Sequence, residues 1–414
     1  MPLTVTGKVI RALRLGITAL LVSALLAGCQ TTTAVPPAQQ GAPPGQGSQP
    51  ANPEPLKIGV LAPATGPFAS GGAAMVQSLR LAAEELNRQG GVLGRQVVLV
   101  TADSQGKADV ARTEALRLIE RDKVWALIGA YLTESTAGAM EAAADQKVIL
   151  VVPVAASNEI TAKVAENYAR YRHVFRVSYN INQWAQLMGG YVESLGIKKY
   201  AFAGTNIRWN HEYAQALKDL LGSKGITQVY EGYYSPQEPA LGAMLKAVRD
   251  AGPELLVLGD PGKGSIEFVK QARTTGLKLP LFSVGGALGD ARVAKTLEPG
   301  GYLSFQAAAW RGSNPRATQY FNDFQQKYNY QPVGYSDTLP HEALTVLAQA
   351  IAQAGSLDTE KVVQALESGE FRGISGTYRF DASHQAQWGA AQGLQGVVVR
   401  WKDGTDQIVW PKGR

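Results

Sequence analysis

The chain has 414 residues, a formal charge of +6, 45% hydrophobic and 18% charged residues, one cysteine and four histidines. That is enough chain for two or three domains with a real core, and the apolar and charged fractions exclude a disordered or collagen-like molecule. A single cysteine excludes an internal disulfide, a cysteine-rich zinc site and an iron–sulfur cluster.

Residues 1–29 carry Lys8, Arg11 and Arg14, then an uncharged run from Leu15 to Ala27, then Gly28-Cys29. The 13-residue apolar run is shorter than the roughly 20 helical residues a bilayer core requires, so the segment reads as an export signal. Its end, Leu26-Ala27-Gly28-Cys29, resembles the bacterial lipobox, which implies cleavage after residue 28 and a lipid on Cys29. The alternative is an ordinary cleaved signal with a chance cysteine. Loss of the three basic residues takes the net charge from +6 to +3, too small an excess to argue for nucleic acid. Residues 30–53 hold six prolines, three glycines and no charge, so residues 29–55 are expected to form a flexible tether. The folded body should begin at Leu56.

From there short runs rich in Val, Ile and Leu alternate with amphipathic stretches. Strands are expected at Lys57–Leu61, Val97–Thr101, Trp125–Ile128, Val148–Val152, Val174–Val177, Tyr200–Ala203, Val229–Tyr234, Leu255–Leu258 and Leu281–Val284, with the continuous apolar character of parallel strands covered on both faces. The first helix places Met75, Leu79, Ala82, Ala83 and Leu86 on one side and stops at Gly90-Gly91. Further helices are expected near Lys107–Arg121, Ser135–Gln146, Gln183–Leu195, Asn210–Lys224, Leu241–Ala251, Ser265–Thr275, Pro315–Tyr328, Glu342–Ala354 and Glu360–Ser368. Such alternation specifies an α/β fold with parallel sheets, and the number of strands favours two lobes over one. After another strand at Gly300–Phe305 the helices run on with scarcely a strand. The C-terminus returns to β character at Gly376–Phe380, Val397–Trp401 and Gln407–Trp410, around the turn signal Asp403-Gly404. This order fits lobes that exchange chain: residues 56–177 with about 306–375 in one, and 178–305 with about 376–414 in the other.

Catalytic signatures do not assemble. His211-Glu212 opens like a zinc-protease helix, but Gln215 stands where the second ligand belongs. There is no G-x-S-x-G elbow, and lipidation would consume the only thiol. Pro261-Gly262-Lys263-Gly264-Ser265 departs from the phosphate-loop pattern, because Val257 replaces its first glycine and Gly264 separates Lys from Ser. The chain is therefore read as a non-enzyme, with no metal and no cofactor.

The segment Lys57–Phe68 followed by Glu85-Leu86-Asn87-Arg88-Gln89-Gly90-Gly91-Val92-Leu93-Gly94-Arg95 resembles the extracytoplasmic substrate-binding proteins of the leucine/isoleucine/valine type. The likeness extends through Val151-Val152-Pro153, Phe175-Arg176-Val177-Ser178, Gln271–Leu277 and Phe380-Asp381, and covers Leu56 to Arg414. It implies a two-lobed type I periplasmic-binding-protein fold with three hinge crossings, closing on an amino acid or similar small molecule for the permease and ATPase subunits of an importer. A lipid-anchored monomer in the cell envelope, on the periplasmic or outer face of the cytoplasmic membrane, is the expectation. A flytrap-fold lipoprotein that regulates an envelope enzyme, as cell-wall synthase activators do, is the alternative.

Ligands of open parallel sheets bind beyond the carboxyl ends of strands, where loops and helix N-termini converge. By the resemblance, the carboxylate hydroxyl falls on Thr133, with Ser135 and Thr136 beside it, and the second carboxylate patch on Ala155-Ala156-Ser157, where only Ser157 keeps a hydroxyl. The acid that would meet an ammonium falls on Gly285 or Gly286 and is missing; Asp260, Asp103 or Glu134 could replace it. Gly71 stands at the first-loop aromatic, with Phe68 and Ser70 nearby. Trp209 keeps an aromatic after the sixth strand, and His341 falls near another family aromatic. Tyr179 and Trp184 either line the cleft or brace the hinge. The expected ligand is thus a small carboxylate or amide with a planar part, not a standard branched-chain amino acid.

Overall fold

The computed structural model describes residues 53–237, 241–262, 264–285, 287–290, 293, 303–389, 393–402 and 405–412. The expected signal, Cys29 and most of the tether lie outside the described residues, as do Gly286 and the Asp403-Gly404 turn.

Two sheets carry the fold. In the first, β1 (Leu56–Ala62), β2 (Val97–Asp103), β3 (Ala126–Ile128), β4 (Ile149–Val152) and β5 (Val174–Arg176) run parallel in the order β2-β1-β3-β4-β5. Between them lie α1 (Ala69–Arg88), α2 (Ala108–Glu120), α3 (Thr133–Gln146) and the short α4 (Glu159–Glu166) and α5 (Tyr168–Tyr171). The sequence pattern does not announce the last two, because only Ile160, Thr161 and Val164 of that stretch are buried, too few for a clear period. The predicted stop of α1 is steric: Gly91 has φ +79°, and a Cβ there would meet the Arg95 carbonyl oxygen at 2.0 Å.

The second sheet has the order β14-β13-β10-β9-β8-β6-β7, formed by β6 (Lys199–Thr205), β7 (Thr227–Tyr234), β8 (Leu255–Gly259), β9 (Leu281–Val284), β10 (Leu303–Ala307), β13 (Val397–Lys402) and β14 (Thr405–Trp410). It is parallel through β10, against which β13 and then β14 pair antiparallel. Its helices are α6 (Ile181–Ser194), α7 (Arg208–Gly222), α8 (Gly242–Ala251) and α9 (Gly264–Thr274). A capping box in which Asn180 and Gln183 each bond the other's backbone fixes where α6 starts.

After β10 come α10 (Pro315–Tyr328), α11 (Leu339–Ala354) and α12 (Thr359–Ser368), then the hairpin β11 (Phe371–Arg372) and β12 (Thr377–Tyr378). The chain therefore leaves the first lobe after β5, returns after β10, where α11 packs on α1, β3 and β4, and crosses once more before β13. The last crossing comes later than the sequence pattern suggests. Residues 380–386 still lie on the first sheet, with Gln385 bridging Arg176 and His384 stacked on Phe175 at 4.0 Å. Phe380 and His384 are buried there, and a run with so little regular strand gives no sequence signal of which lobe it covers.

Candidate functional site

The carboxyl ends of both sheets face one cleft. On the first lobe, the loop after β3 carries Tyr131 and Leu132 inward and α3 begins at Thr133. Leu132 offers no side-chain cap to the first-turn amides, which leaves them polarised toward the cleft. Of the three hydroxyls in that turn, Ser135 donates to the Leu132 carbonyl at 3.1 Å, and Thr136 donates to the same carbonyl at 2.8 Å while accepting from the Ala130 amide. The Thr133 Oγ1 is buried without a partner. Thr133 thus lines the cavity with a free hydroxyl, whereas Ser135 and Thr136 shape the turn.

The loop after β4 supplies Val154, Ala155 and Ala156 as an apolar wall. Ser157, expected to replace a ligand hydroxyl, lies 2.9 and 2.8 Å from the two carboxylate oxygens of Glu212 on α7. It joins the lobes and does not face the cavity.

Opposite stands an aromatic wall. Trp209 at the start of α7 stacks parallel on Trp184 of α6, with ring centroids 5.4 Å apart, and Tyr335 of the second crossing lies 4.8 Å from Trp184. The Tyr335 hydroxyl donates to the Val154 carbonyl at 2.9 Å, which ties this wall to the first lobe. Tyr179 packs behind, 4.0 Å from Trp388, with its hydroxyl 3.4 Å from the Ala307 carbonyl; it braces the crossing. In this closed arrangement the cavity between the walls measures about 20 Å³. Tyr131 separates it from a second space of about 240 Å³ that Ser70 lines, and Phe68 and Glu134 stand at an outer mouth of about 400 Å³.

Among the described residues no carboxylate lines the cavity between the walls. Gly285 has φ +110°, and a Cβ there would lie 3.0 Å from Pro261, so an acidic side chain does not fit. Asp260 is buried; it accepts from the Tyr234 hydroxyl at 2.7 Å and the Gly262 amide at 2.6 Å, and burial pushes its carboxyl up to about 7. It holds the turn after β8. Asp103 accepts from the Ala64 amide, the Thr65 hydroxyl and the Gln105 amide and so fastens two loops of the first lobe away from the cavity.

His341 is elsewhere. Its helix starts earlier than expected, at Leu339-Pro340, which turns residue 341 toward α1, where its Nε2 lies 2.8 Å from Glu85. It lines a separate groove of about 470 Å³ between α1, α10 and α11, and Tyr335 takes the cleft position. Sequence reasoning alone does not single out Tyr131, Tyr335 or Glu212. Tyr131 lies in a loop already marked by its strand, but Tyr335 follows a helix and no strand end points to it.

Among the described residues no group of three His, Cys, Asp or Glu is arranged to hold a metal ion, and no helix is long and apolar enough to cross a membrane.

The family described as periplasmic binding protein matches residues 55–405. An amino acid binding protein of Pseudomonas aeruginosa is 26% identical over 351 residues, covering 84% of this chain and 90% of that protein. A leucine-, isoleucine-, valine-, threonine- and alanine-binding protein of the same organism is 26% identical over 375 residues, covering 84% and 91%. Among solved structures, a solute-binding protein of R. palustris in complex with benzoate superposes with a TM-score of 0.75 at 19% identity, covering 86% of this chain and 95% of that one.

Proposed function

Because this chain belongs to the periplasmic binding protein family, we propose that it is the lipid-anchored solute-binding component of an importer, and that its ligand is a small carboxylate with a planar or apolar body. The observation that carries the ligand class is Thr133: a buried hydroxyl without a partner at the uncapped start of α3, facing aromatic rings, with glycine where an ammonium-binding acid would stand. A carboxylate gains charge-assisted hydrogen bonds and the favourable end of the helix dipole there, and the indoles supply a face for a planar body. An α-amino acid would bring an ammonium that meets no carboxylate among the described residues of the cavity wall, at a desolvation cost.

The closed cavity is far smaller than such a ligand, so entry requires the lobes to part about the crossings and closure follows around the solute. No bond in the ligand changes; the closed form is what permease subunits would receive. Cys29 would hold the body at the outer face of a membrane.

The test is a thermal-shift screen of the purified full-length protein in mild detergent, with branched-chain amino acids, their amides, and aliphatic and aromatic acids. A ligand at 100 times its dissociation constant stabilises by about 2.7 kcal/mol. Shifts with acids are expected. No shift with any solute, together with an envelope enzyme recovered by crosslinking, would replace transport with the regulatory reading.

A further inference from the structure

Tyr131 stands in the loop between β3 and α3 and is buried. It lines both the central cavity of about 20 Å³ and the second space of about 240 Å³, and Pro261 of the other lobe does the same. Its neighbour on the first lobe is Gly71, in the first turn of α1. A Cβ at residue 71 would lie 2.5 Å from Tyr131 Cζ and closer still to the hydroxyl, well inside the roughly 3.5–4.0 Å at which carbon atoms pack. Any side chain at 71 and the Tyr131 ring would therefore compete for the same space. An aromatic ring that does not start from the loop after β1 arrives there from the loop after β3.

The ring is fastened to the lobe that carries the carboxylate anchor. At Gly72 a Cβ would lie 2.8 Å from the Pro63 carbonyl carbon, so the first turn of α1 is pressed onto the loop after β1. The Tyr131 hydroxyl is hydrogen-bonded to Ser336, whose neighbour Tyr335 donates to the Val154 carbonyl of the same lobe. When the lobes part, Pro261 leaves with the second lobe, whereas Gly71, Tyr131 and Thr133 move as one body. The spacing between the ring and the Thr133 hydroxyl is thus the same in the open and the closed protein. Beyond the ring, Ala74, Ile266 and Val333 give the second space apolar surface that a longer acid would cover if it could pass.

We infer that Tyr131 is the residue that sets ligand length: it is a fixed end wall that confines the acid to the central cavity and closes the second space to it. This rests on the solute-binding reading above and narrows its ligand to acids with a short body.

Calorimetric titration of the full-length protein in mild detergent with two pairs of acids tests this: benzoate against biphenyl-4-carboxylate, and pentanoate against decanoate. The wild type should bind the short member of each pair at least about tenfold more tightly, although the long member has more apolar surface to bury. Tyr131→Ala should raise the long-to-short affinity ratio at least about tenfold. Adding Gly71→Tyr to that variant should lower the ratio again, by returning a ring from the other loop, and Tyr131→Phe should keep the wild-type limit. A ring that served only the fold would, on removal, weaken long and short acids alike and leave their ratio standing, which overturns the inference. If Tyr131→Ala does not fold, the wild-type ratios decide: long acids bound as tightly as short ones overturn it. Failure of every acid, amide and amino acid to bind defeats the solute-binding reading itself, and with it a ligand for Tyr131 to limit.

Discussion

The Ser157 hydroxyl on one lobe sits 2.9 and 2.8 Å from the two carboxylate oxygens of Glu212 on the other. Glu212 also accepts from Arg208 Nε at 3.0 Å, and Arg208 reaches back across the cleft to Glu159. This chain of contacts holds the lobes together beside the cavity and uses no ligand atom.

Glu212→Gln should therefore weaken ligand binding without altering which ligand is preferred. Hydrogen bonds to a charged group contribute about 1.5–3 kcal/mol, and losing part of that from the closed state alone lowers affinity by roughly 5- to 30-fold. Titration calorimetry gives the affinity, and small-angle scattering of the unliganded variant should show a larger radius than the wild type.

Thr133→Val keeps the shape of the side chain and removes a hydroxyl that bonds nothing in the closed protein. Melting temperature should stay the same or rise slightly, whereas affinity for a carboxylate ligand should fall about tenfold. Equal losses of stability and affinity would show that the hydroxyl belongs to the fold.

Stability should depend on pH through Asp260 and Asp337, whose carboxyls burial raises to about 7 and about 6 from 3.8. The native state keeps protons there that the unfolded chain has released, so the contribution is complete below about pH 4 and is lost as pH rises through 6 and 7. A difference of one pH unit between folded and unfolded titration corresponds to about 1.4 kcal/mol, so the loss at Asp260 is at most about 4 kcal/mol. His384, whose burial lowers its pKa below the ordinary 6.5, works in the opposite sense, so the diagnostic is a difference. Asp260→Asn should flatten the fall in melting temperature between pH 5 and pH 8 relative to the wild type.

His341→Ala should leave ligand affinity unchanged within about twofold, since its ring lies against Glu85 and Tyr320 outside the cleft. A tenfold loss by titration would return residue 341 to the ligand site.

The sheets were legible because parallel strands buried on both faces write themselves as unbroken apolar runs: Leu281–Val284 has the same bounds in sequence and structure, and Leu255–Leu258 gains one residue. The lining of the central cavity was legible chiefly where a loop follows such a strand, with Trp184 of α6 the exception. Thr133, Ala155, Ala156, Trp209 and Gly285 all come from those loops and all line the cavity. Ser157 and Asp103 come from the same kind of loop, yet their hydrogen bonds go to Glu212 and to the loop after β1. Which partner a polar side chain finds is decided by distant chain, and nothing local records it. Tyr335 was hidden for the same reason, as it enters the cleft from a crossing with no strand before it.

Both lobes are built from separated stretches of chain. The first sheet is finished at Arg176, but its helical cover α11 begins 163 residues later at Leu339, and β10 of the second sheet waits for β13 at Val397 to pair its free edge. Neither half can mature while synthesis or export is under way, because each needs a segment that emerges after most of the other. A stop codon a few residues before Val397 would therefore remove no ligand contact and still leave the β10 edge bare, so that quality-control proteases of the envelope, and not a transport defect, would determine the fate of the shortened product.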